Sequence, residues 1–243
     1  MSTRADRAAW QSARNILCIR LDAMGDVLMT TPALRALKES APRQLSLLTS
    51  RAGAAIAPLI PEIDKVLIYE APWLKSGAAH AQPAADLEML AQLRAQRFDA
   101  AIIFTVYSQN PLPAALMCYL ADIPLRLAHC RENPYRLLTD WLPETEPQQH
   151  IRHEVQRQLD LVAAIGAATG DTRLSLHVPA HANAQLHARL ASAQIDRARP
   201  LVLIHPGASA PSRRYPPALF AQVLPALIAQ GVRGVFAGGD AVV

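Results

Sequence analysis

Lysine is scarce in this sequence: Lys38, Lys65 and Lys75 stand against twenty-one arginines, with a formal net charge of +4. A cation set made almost wholly of guanidinium forks favours anionic partners such as phosphate and carboxylate. Aromatic residues make up only 5% of the chain, and no basic run is interleaved with them, which argues against a nucleic-acid surface. The three cysteines, Cys18, Cys118 and Cys130, are odd in number and lack framework spacing, which fits a reducing compartment. No apolar run approaches the roughly 18 residues of a spanning helix. The opening "MSTRADRAAWQSAR" has no apolar segment of the secretory type. A soluble, cytoplasmic protein is expected.

Common catalytic signatures are missing too. No G-x-G-x-x-G follows the first apolar run and no G-x-x-x-x-G-K-[ST] occurs, which disfavours dinucleotide and P-loop sites. There is no G-x-S-x-G elbow. His150 and His153 lie one turn apart in "HIRHE", but this order is not that of a zinc protease, and they read as surface residues.

What remains is an alternation of short apolar runs and helical patterns. Strands are expected at 16–21, 45–50, 65–70, 98–105 and around 125–130. Helices are expected from the first strand to about Ser40, at 85–96, after Pro113 and over 153–166, the last closed by Gly166 as a C-cap glycine. Such βαβα order predicts an α/β fold with a parallel sheet covered on both faces. The composition then shifts. An Ala- and His-rich stretch holds one weak strand, "RLSLHV", and one helix. "PLVLIHPGAS" opens a second strand-turn-helix, and "VRGVFAGG" is a further strand. The expected domains are 1–178, an interdomain helix and linker over 179–199, and a partial second domain over 200–243.

Two turns carry candidate chemistry. In "DAMGD" (22–26), two carboxylates and Gly25 follow the first strand, and Gly25 is expected to let the backbone turn tightly. Asp26 falls in the first helical turn, where the helix dipole favours its anion. It reads either as a cap or as a base that takes a proton from a sugar hydroxyl, and Asp22 is equally available. Pro32 is expected to kink or restart the helix. In "HPGASAPSRRYP" (205–216), Gly207 allows close approach, Ser209 offers a hydroxyl, and Arg213 and Arg214 offer cationic donors beside a helix start. Together they suggest a phosphate cradle. Arg131 and Arg136 in "RENPYR" are exposed loop residues that could meet an anionic acceptor.

"ILCIRLDAMGDVLMTTPALRALKES", "PEIDKVLIY", "FDAAIIF", "HEVQRQLDLVAAIG" and "LVLIHPGASAPSRRYPPALFAQV", in that order, resemble glycosyltransferase family 9, the lipopolysaccharide heptosyltransferases. The resemblance implies a GT-B fold, with a Rossmann-like N-terminal acceptor domain and the start of a second, incomplete Rossmann-like domain for the nucleotide-sugar. It implies inverting transfer of a heptose or related sugar from an ADP-linked donor to a lipid-linked core oligosaccharide, with no metal and no other cofactor. The base of the family's Gly-Asp pair matches Asp26. The family's donor-phosphate lysine falls at Arg213, with Gly207, Ser209 and Arg214 beside it and the Gly238–Gly239 turn in the donor site. Peripheral contact with the inner face of the cytoplasmic membrane is implied by the lipid acceptor. Family members continue past "GGDAVV", so a C-terminally truncated chain is expected. The alternative is an inactive fragment, or a sugar- or lipid-binding protein that keeps only the acceptor domain. A different GT-B enzyme, such as a sugar epimerase, fits the Gly-Asp start less well.

Overall fold

An apolar run without alternation needs cover on both faces, and "NILCI" has it. The computed structural model describes residues 6–74, 82–195, 198, 200–208 and 211–236. Strand β1 (Asn15–Ile19) lies inside a six-stranded sheet with β2 (Gln44–Thr49), β3 (Lys65–Ile68), β4 (Ala100–Ile103), β5 (Leu125–Cys130) and β6 (Asp140–Pro143). The order is β3-β2-β1-β4-β5-β6, and every neighbouring pair is parallel. Ile16 sits opposite Leu45 on one side and Ala100 on the other. Successive side chains of a strand point to opposite faces. Accordingly Ile16 and Cys18 join a core with Trp10, Leu34, Leu37 and Leu161, while Leu17 and Ile19 join another with Met89, Leu93, Ala115 and Cys118.

The layers follow from those lists. On one face lie α1 (Arg7–Ser12), α2 (Met24–Ser40) and α6 (Glu154–Ala163); on the other lie α4 (Pro83–Ala95) and α5 (Leu112–Leu120). A short α3 (Arg51–Ala54) follows β2. Helix α6 ends as expected, with Gly166 at φ +86° and Ala167 N–H bonded to Val162 O at 3.1 Å. The chain runs outward from β1 through β2 and β3, then returns to β4 beside β1 and runs outward the other way. The order therefore reverses between β1 and β4, the crevice where ligands of such sheets bind.

Two expectations along α2 are corrected. Pro32 does not restart the helix, which is continuous from Met24 to Ser40. Proline cannot donate to the carbonyl four residues back, and Thr31 Oγ1 donates to that carbonyl, Leu28 O, at 2.7 Å. Gly25 is not a turn glycine but lies inside the first helical turn, with open space where a side chain would stand.

The stretch "RLSLHV" is not a strand. It runs across α2, and side chains satisfy its backbone in place of a ladder. Arg35 Nη1 donates to Asp171 O and Arg173 O at 2.6 and 2.9 Å, and Ser175 N–H donates to Thr31 Oγ1 at 2.9 Å. His177 N–H reaches Leu59 O at 2.7 Å.

The chain divides into two compact units, Met1–His177 and Val178–Val243. The second holds α7 (Ala180–Ser192), β7 (Leu201–Ile204), α8 (Pro217–Ala229) and β8 (Arg233–Phe236), with β7 and β8 a parallel pair. Leu203 of β7 is 67% exposed, and Val223 and Ile228 of α8 are also exposed.

Thr31 Oγ1 both donates to Leu28 O and accepts from Ser175 N–H. A buried polar group left unmatched costs about 1–3 kcal/mol. Thr31→Val keeps shape and loses both bonds, and urea unfolding should show a loss of about 2 kcal/mol. An unchanged midpoint would remove the hydroxyl from this account of the proline-containing helix.

Candidate active site

The last residue of "ILCIR" departs from the apolar pattern. Arg20 follows β1 with its side chain at 0% exposure, and its backbone N–H still bonds Leu48 O at 2.9 Å. A charge this deep requires partners, and the guanidinium has three carboxylates. Nε lies 3.0 Å from Asp22 Oδ2, Nη2 lies 3.2 Å from Asp26 Oδ1, and Nη1 lies 3.0 Å from Glu154 Oε1. The two candidate carboxylates of the first turn thus share one cation.

They are held differently. The Asp22 side chain is 15% exposed; Gln109 Nε2 donates to its Oδ1 at 2.5 Å, and Ser50 Oγ fixes its carbonyl at 2.6 Å. Asp26, at 36%, is the more open of the two. Its Oδ2 accepts the N–H of Ala23, the residue preceding α2, at 3.2 Å. Ala23 has no side-chain oxygen with which to cap the helix, so the carboxylate of Asp26 supplies the reciprocal half of a capping box alone. Asp26 therefore presents an anion at a helix N-terminus, open enough to meet a ligand, beside backbone that Gly25 leaves unobstructed.

The reversal of strand order lies here. A cleft of about 320 Å3 is lined by Ile19 and Asp22 from the β1 end, by Phe104 and Thr105 from the β4 end, and by Gln109 and Trp73. Beside it a second cavity, of about 600 Å3, is lined by Ser108, Asn110, His129, Arg131 and Glu132. Arg131 is turned largely to its own chain: Nη2 donates to Tyr107 O and Glu146 O at 3.0 and 2.7 Å, and Nη1 to Gln148 Oε1 at 3.1 Å. Arg136 is exposed, and its carbonyl accepts from Arg126 Nη2 at 2.8 Å. His153 precedes α6 as its N-cap residue, and His150 lies before the helix. Among the described residues no group of three or more His, Cys, Asp or Glu is placed to hold a metal ion. The thiols of Cys18 and Cys118 are pushed up to about 12 by burial, which leaves them unreactive at neutral pH.

Behind the second cavity is a buried ionic cluster. Arg157, 1% exposed, pairs with Glu144 and lies 3.5 Å from Glu146 Oε1, while its Nε donates to Thr105 O at 2.9 Å. Arg152 bonds Glu146 at 2.6 Å and Asp160 at 2.8 Å. His129 lies against this cluster with Nε2 3.2 Å from Arg157 O. Burial first, and the Arg157 charge second, push its imidazole down to about 4.

In the second unit, Gly207 follows β7, Arg213 ends a 3-10 turn (Pro211–Arg213), and both arginines are exposed. Arg214 Nε donates to Ala208 O at 2.6 Å, so part of its guanidinium braces the loop. Ser209, Gly238 and Gly239 lie outside the described residues.

The reversed strand order with its loop–helix cleft defines a Rossmann-type unit, and solved structures supply its class. The chain is similar to the glycosyl transferase family 9 structure from Veillonella parvula DSM 2008 at a TM-score of 0.74 and 18% identity, over 93% of this chain and 63% of that one. It is similar to the E. coli ADP-heptose lps heptosyltransferase II at 0.69 and 21%, over 93% and 65% of the two chains. For E. coli heptosyltransferase WaaC with ADP-2-deoxy-2-fluoro heptose the values are 0.66 and 17%, over 93% and 69%. The chain thus spans somewhat less than two thirds of the first two structures, and at these identities the likeness establishes the GT-B fold. No curated protein matches the chain. The family model for glycosyltransferase family 9 (heptosyltransferase) matches residues 87–242. The chain belongs to that family.

Sequence reasoning missed Arg20, Gln109 and Glu154. A single arginine at the end of an apolar run was the available signal, since a buried charge calls for buried partners.

The depressed imidazole of His129 has a consequence for stability. Above its unfolded value of 6.5 both states are neutral and His129 costs nothing. Between 6.5 and about 4 the unfolded chain binds a proton that the folded one refuses, so stability falls as pH falls. Urea unfolding at pH 7 and pH 5 should differ by about 2 kcal/mol from this residue, and His129→Gln should remove that part of the difference. Equal pH slopes in the two chains would show that His129 titrates normally.

Proposed function

We propose that this chain is the acceptor domain and part of the donor domain of an inverting glycosyltransferase. The sugar is a heptose or a close relative carried by an ADP-linked donor, and the acceptor is a lipopolysaccharide core oligosaccharide. Family membership and a solved relative with an ADP-sugar ligand support the donor class. The observation that carries the chemistry is Asp26, an open carboxylate on a helix N-terminus at the edge where the strand order reverses.

In this reading an acceptor hydroxyl attacks the anomeric carbon from the face opposite the diphosphate. The new carbon–oxygen bond forms as the bond to the diphosphate oxygen breaks. Asp26 takes the hydroxyl proton as it becomes acidic in the transition state. The departing diphosphate gains its charge beside Arg213, with Gly207, Ser209, Arg214 and the Gly238–Gly239 turn completing the donor side. Arginine replaces a compact ammonium with a planar fork, suited to a bidentate grip on the diphosphate. No metal enters the proposed reaction. The lipid of the acceptor brings the protein to the inner face of the cytoplasmic membrane from the cytoplasm; among the described residues no helix is long and apolar enough to cross a membrane.

A second reading, an acceptor-binding protein without transfer, is favoured by the contrast between the units. The first has a six-stranded sheet with both faces covered, whereas the described residues of the second pair two strands. Calorimetry with ADP and then ADP-heptose separates the two readings. Micromolar binding with sugar transfer supports the enzyme, and a folded chain that binds neither supports the second reading. In a transferring form, Asp26→Asn keeps an oxygen for Ala23 N–H and removes the base. Its kcat should fall by roughly 10²–10⁴ with the melting temperature nearly unchanged. Unchanged turnover would remove Asp26 from the mechanism.

A further inference from the structure

Arg20 is fully buried, and each nitrogen of its guanidinium lies near a different carboxylate: Asp22 at 3.0 Å, Asp26 at 3.2 Å and Glu154 at 3.0 Å. Three anions on one cation leave this group of four side chains with a formal charge of −2. Each carboxylate therefore competes with the others for the same positive charge. Asp26 has the longest of the three contacts and makes it through one oxygen only.

Glu154 is the least expected member. It lies 134 residues from Arg20, at the first position of α6, and is 19% exposed. Its Oε1 takes both Arg20 Nη1 and, at 2.6 Å, Gln158 Nε2 one helical turn on. Gln158 Nε2 is itself held by Thr105 O at 3.1 Å, at the end of β4. Glu154 is thus fixed from α6 and from the end of β4, with its charge on Nη1 of the guanidinium while Asp26 meets Nη2. The groups facing Arg20 are Asp22 from the β1 turn, Asp26 from α2 and Glu154 from α6, with Gln109 behind Asp22 and Gln158 behind Glu154.

We propose that Glu154 is a positioning residue that sets the basicity of Asp26 by drawing part of the Arg20 charge away from it. The inference rests on the reading of Asp26 as the base. With Glu154 in place, Asp26 is oriented by an Arg20 guanidinium that also contacts two other carboxylates. Without the Glu154 charge, nothing on that side offsets the positive field of Arg20 at Asp26, and the Asp26 anion is held more firmly. Asp22 competes in the same way from the Nε edge.

The test follows the Asp26 side-chain carboxyl carbon by NMR across pH in the whole 243-residue chain, with Asp26→Asn identifying its signal. In Glu154→Gln, which keeps shape and loses charge, Asp26 should titrate at lower pH than in the unsubstituted chain. Asp22→Asn, which removes the charge beside Arg20 Nε, should move it the same way and serves if Glu154→Gln does not fold. Glu154→Asp, which keeps the charge, should restore most of the original behaviour. In a transferring form, Glu154→Gln should lower kcat about three- to tenfold, move the acid limb of kcat/KM to lower pH, and leave the donor KM unchanged. An Asp26 titration that does not move in either charge-removing variant would overturn the proposal and leave Glu154 a structural partner of Arg20. Normal transfer by Asp26→Asn would instead bring down the base reading, whatever the titrations show.

Discussion

A single buried guanidinium joins the parts of the first unit that have to meet at the site. Arg20 leaves the central strand, grips the turn through Asp22, the following helix through Asp26, and the last helix of the unit through Glu154. Burying one partner of such a cluster without the others leaves an uncompensated charge, a strongly destabilising arrangement. The cluster is weak as a source of net stability and strong as a constraint on geometry. It links α2 and α6, which the sequence separates by more than a hundred residues, and so gives the Asp26 carboxylate one position.

Much of the first unit could be read from the chain because its sheet is buried on both faces. Uninterrupted apolar runs such as "ILCI" and "AAII" have few alternatives to a covered parallel strand. Strand β6, "DWLP", escaped because it is short, mixed in polarity and ends in proline, all features of a sheet edge. "RLSLHV" misled for the opposite reason. Its alternation is that of a strand, yet its backbone partners are the hydroxyl of Thr31, the guanidinium of Arg35 and a distant carbonyl. Local pattern records burial on one side; it does not record whether a ladder or a set of side chains supplies the bonds.

The site shows the same division. The place of Asp26 in the first turn of a helix was legible because its surroundings are local: a strand, a short turn and a helix start. Whether Asp26 or Asp22 is the more open carboxylate was not, since that depends on Gln109 and Ser50, which reach Asp22 from other parts of the fold. Glu154 was invisible for a like reason. An acidic residue in a first helical turn looks like any other helix start until the fold brings it to Arg20.

The hydrogen bond from Ala23 N–H to Asp26 gives the reaction a mechanical side. The carboxylate that the proposed transfer would protonate is also what holds the backbone N–H of Ala23, the residue just before α2. A protonated carboxyl is a much poorer acceptor than its anion, so each turnover would slacken the start of this helix for as long as the proton stays. The same helix then favours release, because giving up the proton restores its tie. The catalyst would be reset by its own scaffold.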